Sequence, residues 1–547
     1  VSELFTPSTL PEALRALAEG GHPSPPGGGR LGVFDRRGQV EEVLSYPDLV
    51  RSARAWGAWF EGRGVKPGEV VLLCLPTSHD LVAAFLGASL IRALPCNLAL
   101  PRAVGGIDVF KRRVEGLIEH FPGGQVLTTP DVATELPSVS WTAPELDLGR
   151  LVGLDAVGAS DLAYVQLTSG STSLPKAVSI THENLSRNVR GIFKAGGADA
   201  ARDQFVSWLP LYHDMGLVGM TLTALFHGAS LSLMRPETFV GRPVRWLEAL
   251  ARCSSAITAA PNFGYQWCVD RIPKRKLAGL DLSGWRLGCC GAEPIRVKTL
   301  AQFRERFAPY GVGETVLTPC YGMAEATLAV TFGPVDELPR LEGERVSCGS
   351  PLEGLELAIK GPAGRALAEG EVGEIVVRGN SVFPGYFKDE DATRAALREG
   401  WLHTGDLGYL RGGELYVTGR LKDLMILDGA NFTPLEFEVI AEEHADVGGG
   451  RAVAFSVEID QREAVVVVVE GRQAPEPAVS EAIKGHAAKE VAPIHDLVFV
   501  RRGSLPKTSS GKTIRGQVRD LYLQGRLQVL SPNQAGCPEA EPDHSVS

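Results

Sequence analysis

One short loop gathers hydroxyls, a glycine and a lysine in a way that suits phosphate. It reads Thr168-Ser169-Gly170-Ser171-Thr172-Ser173-Leu174-Pro175-Lys176-Ala177 and follows the apolar run Leu162–Leu167. Hydroxyls and unpaired backbone N–H groups in such a loop form a nest for phosphate oxygens, and the lysine adds a full positive charge. By composition alone a loop of this kind is more often an ordinary turn. It has company, however. A second loop of related texture, Leu505-Pro-Lys-Thr-Ser-Ser-Gly-Lys512, ends in a lysine set among small residues. Between the two lie Gly291-Ala292-Glu293-Pro294, Tyr321-Gly322-Met323-Ala324-Glu325, Thr404-Gly405-Asp406 and Gly419-Arg420.

The elements that must hold these loops alternate in type. The apolar run Val70–Leu75 precedes the helix-like Asp80–Ala88, and Ala256–Ala260 precedes Phe263–Cys268. Alternation of this kind predicts layered α/β architecture with largely parallel sheets. Over Glu371–Tyr416 the texture changes to short strands and turns, which predicts a small β-rich lobe. A last α+β unit follows, signalled by the helix Pro434–Glu442 and the runs Ala464–Glu470 and Leu497–Val500. We therefore expect a large multi-lobed domain over residues 1–419, a small mobile domain over 420–530, and a loose acidic tail over 531–547.

Bulk properties narrow the function. The chain has 547 residues, 44% hydrophobic and 22% charged, as befits a multidomain globular protein. A net charge of -10 gives no global field for nucleic acid or an anionic membrane, so an anionic substrate needs a local positive cluster. Nine cysteines without CxxC spacing argue against a disulfide framework or zinc site and for buried thiols in a reducing compartment. The opening residues lack the order of a secretory leader, and Val70–Leu75 stops at Pro76, well short of a membrane span. A cytoplasmic location is expected.

Taken in order, the blocks resemble the adenylate-forming superfamily of acyl-CoA synthetases, peptide-synthetase adenylation domains and luciferases, from about Ser45 to Arg515. Joining a carboxylate to the α-phosphate of ATP brings two anions together, so such a site must supply positive charge and in-line geometry. The resemblance implies that Lys512 bridges the two reacting groups. It implies phosphate contacts from Thr168, Ser169, Gly170, Ser171, Thr172 and Lys176, and Mg²⁺ coordination by Glu325. Read alone, Glu325 also suits the first turn of a helix. Gly291, Ala292, Glu293 and Pro294 correspond to the loop near adenine. Tyr321 corresponds to the residue on the other ring face, followed by Gly322, Met323 and Ala324, although an aromatic there also suits a plain core. Asp406 matches the acid that accepts both ribose hydroxyls, with Arg420 beside it. His213 falls at the gate between acyl group and nucleotide, where a structural role competes with proton transfer. Lys422 matches the hinge about which the C-terminal domain turns between the adenylating state and the state that admits a thiol. Gly429 and Ala430 would line the thiol tunnel, and Asn262, Phe263, Gly264 and Tyr265 the acyl pocket, with Gly264 leaving room for a long or bulky group.

Leu209–Gly216, Ala260–Phe263 and Ala324 are similar to one branch, the fatty acyl-AMP ligases. Ligases proper carry an inserted segment after the glutamate block that disfavours CoA. The connection from Leu328 to Ser347 is short here, so the resemblance implies an acyl-CoA synthetase using ATP, Mg²⁺ and coenzyme A, with loading of an acyl carrier protein as the alternative. The phosphate loop departs from the family at Ser173 and Ala177, where glycine is usual. If either backbone needs positive φ, a β-carbon costs ~1 kcal/mol and crowds the phosphates. Two readings follow: a full two-step synthetase, or one biased toward thioester formation from preformed acyl-AMP. A non-catalytic ligand-binding relative would have lost Lys176, Glu325 and Lys512, which are all present. An amino-acid activator would need a pocket aspartate, and the nearest, Asp214, belongs to the acyl-type block.

Overall fold

The computed structural model describes residues 7–530 except 23–24, 26, 36, 102–105, 122, 169–174, 428–429, 445–450, 460–461, 472 and 508–512. Of the expected site residues, Ser169, Gly170, Ser171, Thr172, Ser173, Gly429 and Lys512 lie outside the described residues, as do Asp428 and the expected tail 531–547. Two compact units are present: Val1–Thr404 with Gly408–Val417, and Gly405–Leu407 with Thr418–Ser547. The chain thus passes from the first to the second within the strand Glu414–Arg420, two residues before 419.

The first unit is α/β in several sheets. Its largest has nine strands, in the spatial order Ser350–Pro351, Ala329–Phe332, Leu317–Gly322, Trp285–Gly291, Ala256–Pro261, Gln204–Ser207, Ser230–Met234, Arg30–Phe34 and Val40–Ser45. Pairing is parallel from Leu317–Gly322 through Arg30–Phe34 and antiparallel at both margins. Strands buried on both faces read as continuous apolar runs, and Ala256–Pro261 is buried at every position. A second, four-stranded parallel sheet carries Leu94–Asn97, Val70–Cys74, Gln125–Thr128 and Ser140–Thr142. Leu162–Leu167 and Ala177–Thr181 form an antiparallel hairpin, closed by the Thr168 N–H donating to the Lys176 carbonyl at 3.0 Å. The phosphate-loop sequence is therefore the connection between these two strands.

The helix His182–Ala195 follows directly. Its capping box joins Thr181 and Asn184, and one face buries Leu185, Val189 and Phe193. Asn184 and Asn188, one turn apart, share a face and are buried with these apolar residues. Burial demands that their amides be satisfied, and both are spent on the loops around Glu325 described below.

The second unit is a small α+β fold. Ala452–Ile459 pairs antiparallel with Arg462–Gly471, which pairs parallel with Ile494–Arg501. The valine run shows how period-2 geometry builds two cores at once. Val465, Val467 and Val469 pack with Phe437, Ile440 and Ile483. Val466 and Val468 face the other way, toward Val453, Phe455 and Val518. Arg515 fastens this unit together. Its guanidinium donates to Asp423 Oδ2 at 2.7 Å, Glu438 Oε1 at 2.8 Å and the Ala454 carbonyl at 2.9 Å.

Removing one partner from such a network leaves charges uncompensated. Arg515→Met is expected to lower the stability of the second unit by roughly 2–3 kcal/mol, below the ~3–5 kcal/mol of a fully buried pair because the side chain is partly exposed. Faster native-state amide exchange in Arg462–Gly471 is the measurement, and unchanged exchange would contradict the anchoring role.

Candidate active site

Glu325 sits in a turn that the sequence could not adopt without help. Ala324–Ala326 is one turn of 3₁₀ helix, and the next residue, Thr327, has φ 71° and ψ -54°. This is the strained γ-turn region, rare for a β-branched residue, where ~1–3 kcal/mol must be offset by the surroundings. The surroundings are specific. Asn188 Nδ2 donates to the carbonyls of Ala326 and Ala329, and its Oδ1 accepts from the Ala329 N–H. Thr327 Oγ1 donates to the Ser381 carbonyl at 2.7 Å, and the Phe383 N–H donates to the Glu325 carbonyl at 2.9 Å. Asn184 Nδ2 donates to the carbonyls of Asn380 and Val382, holding the segment that Glu325 leans on. Gly322 is required, because a Cβ there would lie 1.9 Å from the Leu328 carbonyl oxygen.

The Glu325 side chain is buried, and burial pushes its carboxyl above the usual carboxylate range. A hydrogen bond from Tyr386 Oη to Glu325 Oε1, 2.8 Å, pulls the other way, as does the charge of Lys176, while Asp214 adds to the rise. Lys176 Nζ lies 4.5 Å from the centre of the Tyr386 ring. One hard carboxylate that gains from a nearby cation fits Mg²⁺, which takes one or two protein carboxylates plus substrate phosphates. Among the described residues no cluster of three or more His, Cys, Asp or Glu could hold a metal by itself.

His213 Nδ1 is 2.6 Å from Asp214 Oδ1, and the Met215 N–H donates to that same oxygen at 2.7 Å. The Met215 N–H also lies 3.3 Å from His213 Nδ1, so this ring nitrogen and the Asp214 carboxylate share one backbone donor. The pair opens Met215–Leu222, an eight-residue π-helix in which Thr221 and Thr223 hydroxyls donate five residues back, to Gly216 and Val218. π-Helical geometry recurs at functional sites and has no compositional signature. Gly216 is needed where the Pro210 carbonyl would lie 2.4 Å from a Cβ.

Other expected residues have partners of their own. Ala292 is left-handed at φ 65°, and a Cβ on Gly291 would meet the Cys320 carbonyl at 2.7 Å, so this loop is tightly set. Glu293 Oε1 accepts from the Phe263 N–H, capping the helix Asn262–Arg271, while Pro294 is exposed. Asn262 spends its amide on the Arg296 N–H and on Thr299. Tyr321 and Ala324 are buried, with Met323 half-buried beside them. In the second unit Asp406 is buried and Arg420 Nε lies 3.0 Å from its Oδ1. Lys422 is exposed in the 3₁₀ turn Leu421–Asp423, and Ala430 is exposed in a short strand pairing with Leu427.

Two sequence expectations change. The space beside Gly264 is not room for an acyl group: a Cβ there would meet Trp208 Cζ2 at 2.9 Å, since that indole fills the gap and stacks on Phe239. Its neighbour Tyr265 is fully buried against Trp246 and Phe303 and donates to the Cys289 carbonyl, so it belongs to the core, leaving Phe263 half-buried on the helix. Nor does Ala177 need positive φ. It is an ordinary strand residue, its carbonyl accepts from the Phe387 N–H at 2.7 Å, and it packs in the apolar cluster with Val165 and Leu167. Its β-carbon is a core contact. Tyr386, in contrast, was invisible as a site residue: Pro384-Gly385-Tyr386 reads as a turn between a strand and a helix.

Residues 115–387 match the family model described as AMP-binding enzyme. The chain is 32% identical to a putative acyl-CoA synthetase of Caulobacter vibrioides, over 90% of this chain and 93% of that protein. It is also 32% identical to the medium-chain-fatty-acid–acyl-carrier-protein ligase JamA of Moorena producens, over 90% and 92%. A structure from a study of fatty acyl-adenylate ligases of E. coli and L. pneumophila matches with TM-score 0.82 at 32% identity, over 95% of this chain and 98% of that one. The chain belongs to the adenylate-forming superfamily of AMP-binding enzymes. Within it, its branch is that of the fatty-acyl-AMP ligases and their close relatives. It is an enzyme that activates a carboxylic acid as an acyl adenylate, with ATP or acyl-AMP as its nucleotide.

The packing of Ala177 makes a direct prediction. Ala177→Gly should leave ATP KM and ATP–pyrophosphate exchange within about twofold, while lowering thermal stability by ~1 kcal/mol through lost packing and added chain entropy. A large gain in exchange rate would restore the view that this β-carbon obstructs the phosphates.

Proposed function

We propose that this protein activates a fatty acid with ATP and passes the acyl group to the phosphopantetheine thiol of an acyl carrier protein. The observation that carries the first step is the grouping of Glu325, Tyr386 and Lys176. It sets a buried carboxylate and an ammonium at the end of the hairpin loop, as a polyphosphate with its cation requires. The carboxylate oxygen attacks the α-phosphorus and pyrophosphate leaves. Lys512 is the group we assign to bridge the two anions. In the second step the thiol sulfur attacks the acyl carbonyl carbon, AMP leaves, and the thiol proton is lost to the surroundings. Thr168–Thr172, Asp406 and Arg420 are assigned to the nucleotide, Phe263 to the acyl chain, and Lys422 to the hinge. His213 and the Gly429–Ala430 loop are assigned to the thiol.

The similarity to JamA, named for carrier-protein ligation, and to the fatty acyl-adenylate ligase structure favours a carrier protein as acceptor. Free coenzyme A is the second reading. The short connection after the glutamate block favours it, for between Phe332 and Ser350 the chain makes only the two-residue strands Leu341–Glu342 and Arg345–Val346. It is also consistent with the similarity to the Caulobacter protein. The bias toward preformed acyl-AMP keeps one support, Ser173, now that Ala177 is accounted for.

Two assays separate these readings. ATP–pyrophosphate exchange with a medium-chain fatty acid is expected, and Lys512→Ala should lower it by about 10²-fold or more while sparing thiol transfer from synthetic acyl-AMP. Given equal holo-carrier protein and CoA, the acyl group should appear mainly on the carrier. Transfer mainly to CoA would select the second reading, and absent exchange with brisk use of acyl-AMP would select the half-reaction.

A further inference from the structure

Tyr386 stands between two charges that should otherwise find each other. The segment Gly385–Phe387 adds a third rung to the hairpin. Val178 bridges Tyr386 antiparallel, the Ser179 N–H donates to the Gly385 carbonyl, and the Phe387 N–H donates to the Ala177 carbonyl. Lys176 lies two residues before Val178 and so projects on the same face as Tyr386, a diagonal neighbour within reach of a long side chain. Its Nζ comes to rest 4.5 Å from the ring centre. The hydroxyl at the far end of that ring donates to Glu325 Oε1 at 2.8 Å. Lys176 and Glu325 thus meet different parts of one side chain, the ring and the hydroxyl. An ammonium and a buried carboxylate attract, and direct contact is the arrangement their charges favour. Direct contact would take both away from a polyphosphate and its cation.

We propose that Tyr386 is a positioning residue for adenylation, holding Lys176 on its ring and Glu325 on its hydroxyl so that neither charge neutralises the other before nucleotide binds. The inference rests on the assignment of Lys176 to the phosphates and Glu325 to the cation made above. The supports of the ring are themselves fixed: Phe383 packs edge-on at 4.9 Å, and the Tyr386 N–H donates to Thr393 Oγ1 at 2.9 Å.

The two halves of the side chain can be removed separately. Tyr386→Phe keeps the ring and deletes the hydroxyl; Tyr386→Leu deletes both. Two readouts follow: ATP binding in EDTA by calorimetry, which reports Lys176, and the Mg²⁺ concentration for half-maximal exchange, which reports Glu325. Tyr386→Phe should leave metal-free ATP binding within about twofold and raise the Mg²⁺ requirement about three- to tenfold. Tyr386→Leu should do the same to Mg²⁺ and also weaken metal-free ATP binding about five- to tenfold. Should the leucine variant unfold, Tyr386→Phe still decides, because an unchanged Mg²⁺ requirement overturns the inference. If Lys176→Ala weakens metal-free ATP binding but Tyr386→Leu does not, the inference alone falls. If Lys176→Ala changes nothing, the phosphate assignment falls and this inference with it.

Discussion

Glu325 keeps less than a tenth of its surface in contact with solvent, so its charge must be stabilised by what surrounds it, and much of the first unit is arranged to that end. The turn that carries it is strained at Thr327 and would relax if left alone. It is prevented from doing so by Asn188 on one side and by the 380–386 segment on the other, which Asn184 holds in turn. One helix, one turn apart along one face, thus supplies both restraints. The nine-stranded sheet delivers the strand Leu317–Gly322 into this turn, and the Leu162–Leu167 hairpin delivers Lys176 to the same tyrosine. The amides oppose the strain, and the Tyr386 hydroxyl and the Lys176 charge oppose the cost of the buried carboxylate.

Much of this was legible in the sequence where the physics is local. Continuous apolar runs announced the buried strands Val70–Cys74, Ala256–Pro261 and Arg462–Gly471, since a strand covered on both faces has no polar alternation to break the run. Ordered blocks announced the family, and with it Glu325, Asp406 and Arg420. The last two do meet in the second unit. What the sequence could not convey was who uses each space. Gly264 says only that something comes close, and the visitor is the Trp208 indole. Glu293 says acid, and its employment includes a helix N-terminus. A π-helix follows from hydrogen bonds one residue longer than usual, which leave no mark on residue choice. Tyr386 was hidden by its Pro-Gly neighbours, because a turn signal gives no hint that an aromatic inside it is an active-site support.

The unusual alanine of the phosphate loop illustrates how family comparison and packing divide the work. A family pattern marks Ala177 as a departure; only the hydrogen bonds on either side of it show that the backbone there is extended and pinned by Phe387. A methyl group in that setting adds a contact to the apolar cluster beneath the hairpin.

Arg515 has a mechanical meaning beyond its contribution to stability. Its guanidinium ties Asp423, in the turn beside Lys422, to the helix Pro434–Glu443 and the strand Ala452–Ile459. Next to it in sequence, the Ile514 N–H donates to the Pro506 carbonyl and closes the base of the loop that carries Lys512. Turn and loop base are thereby parts of one stiff body. A displacement of the turn Leu421–Asp423 relative to the base of that loop would have to break the Arg515–Asp423 contact.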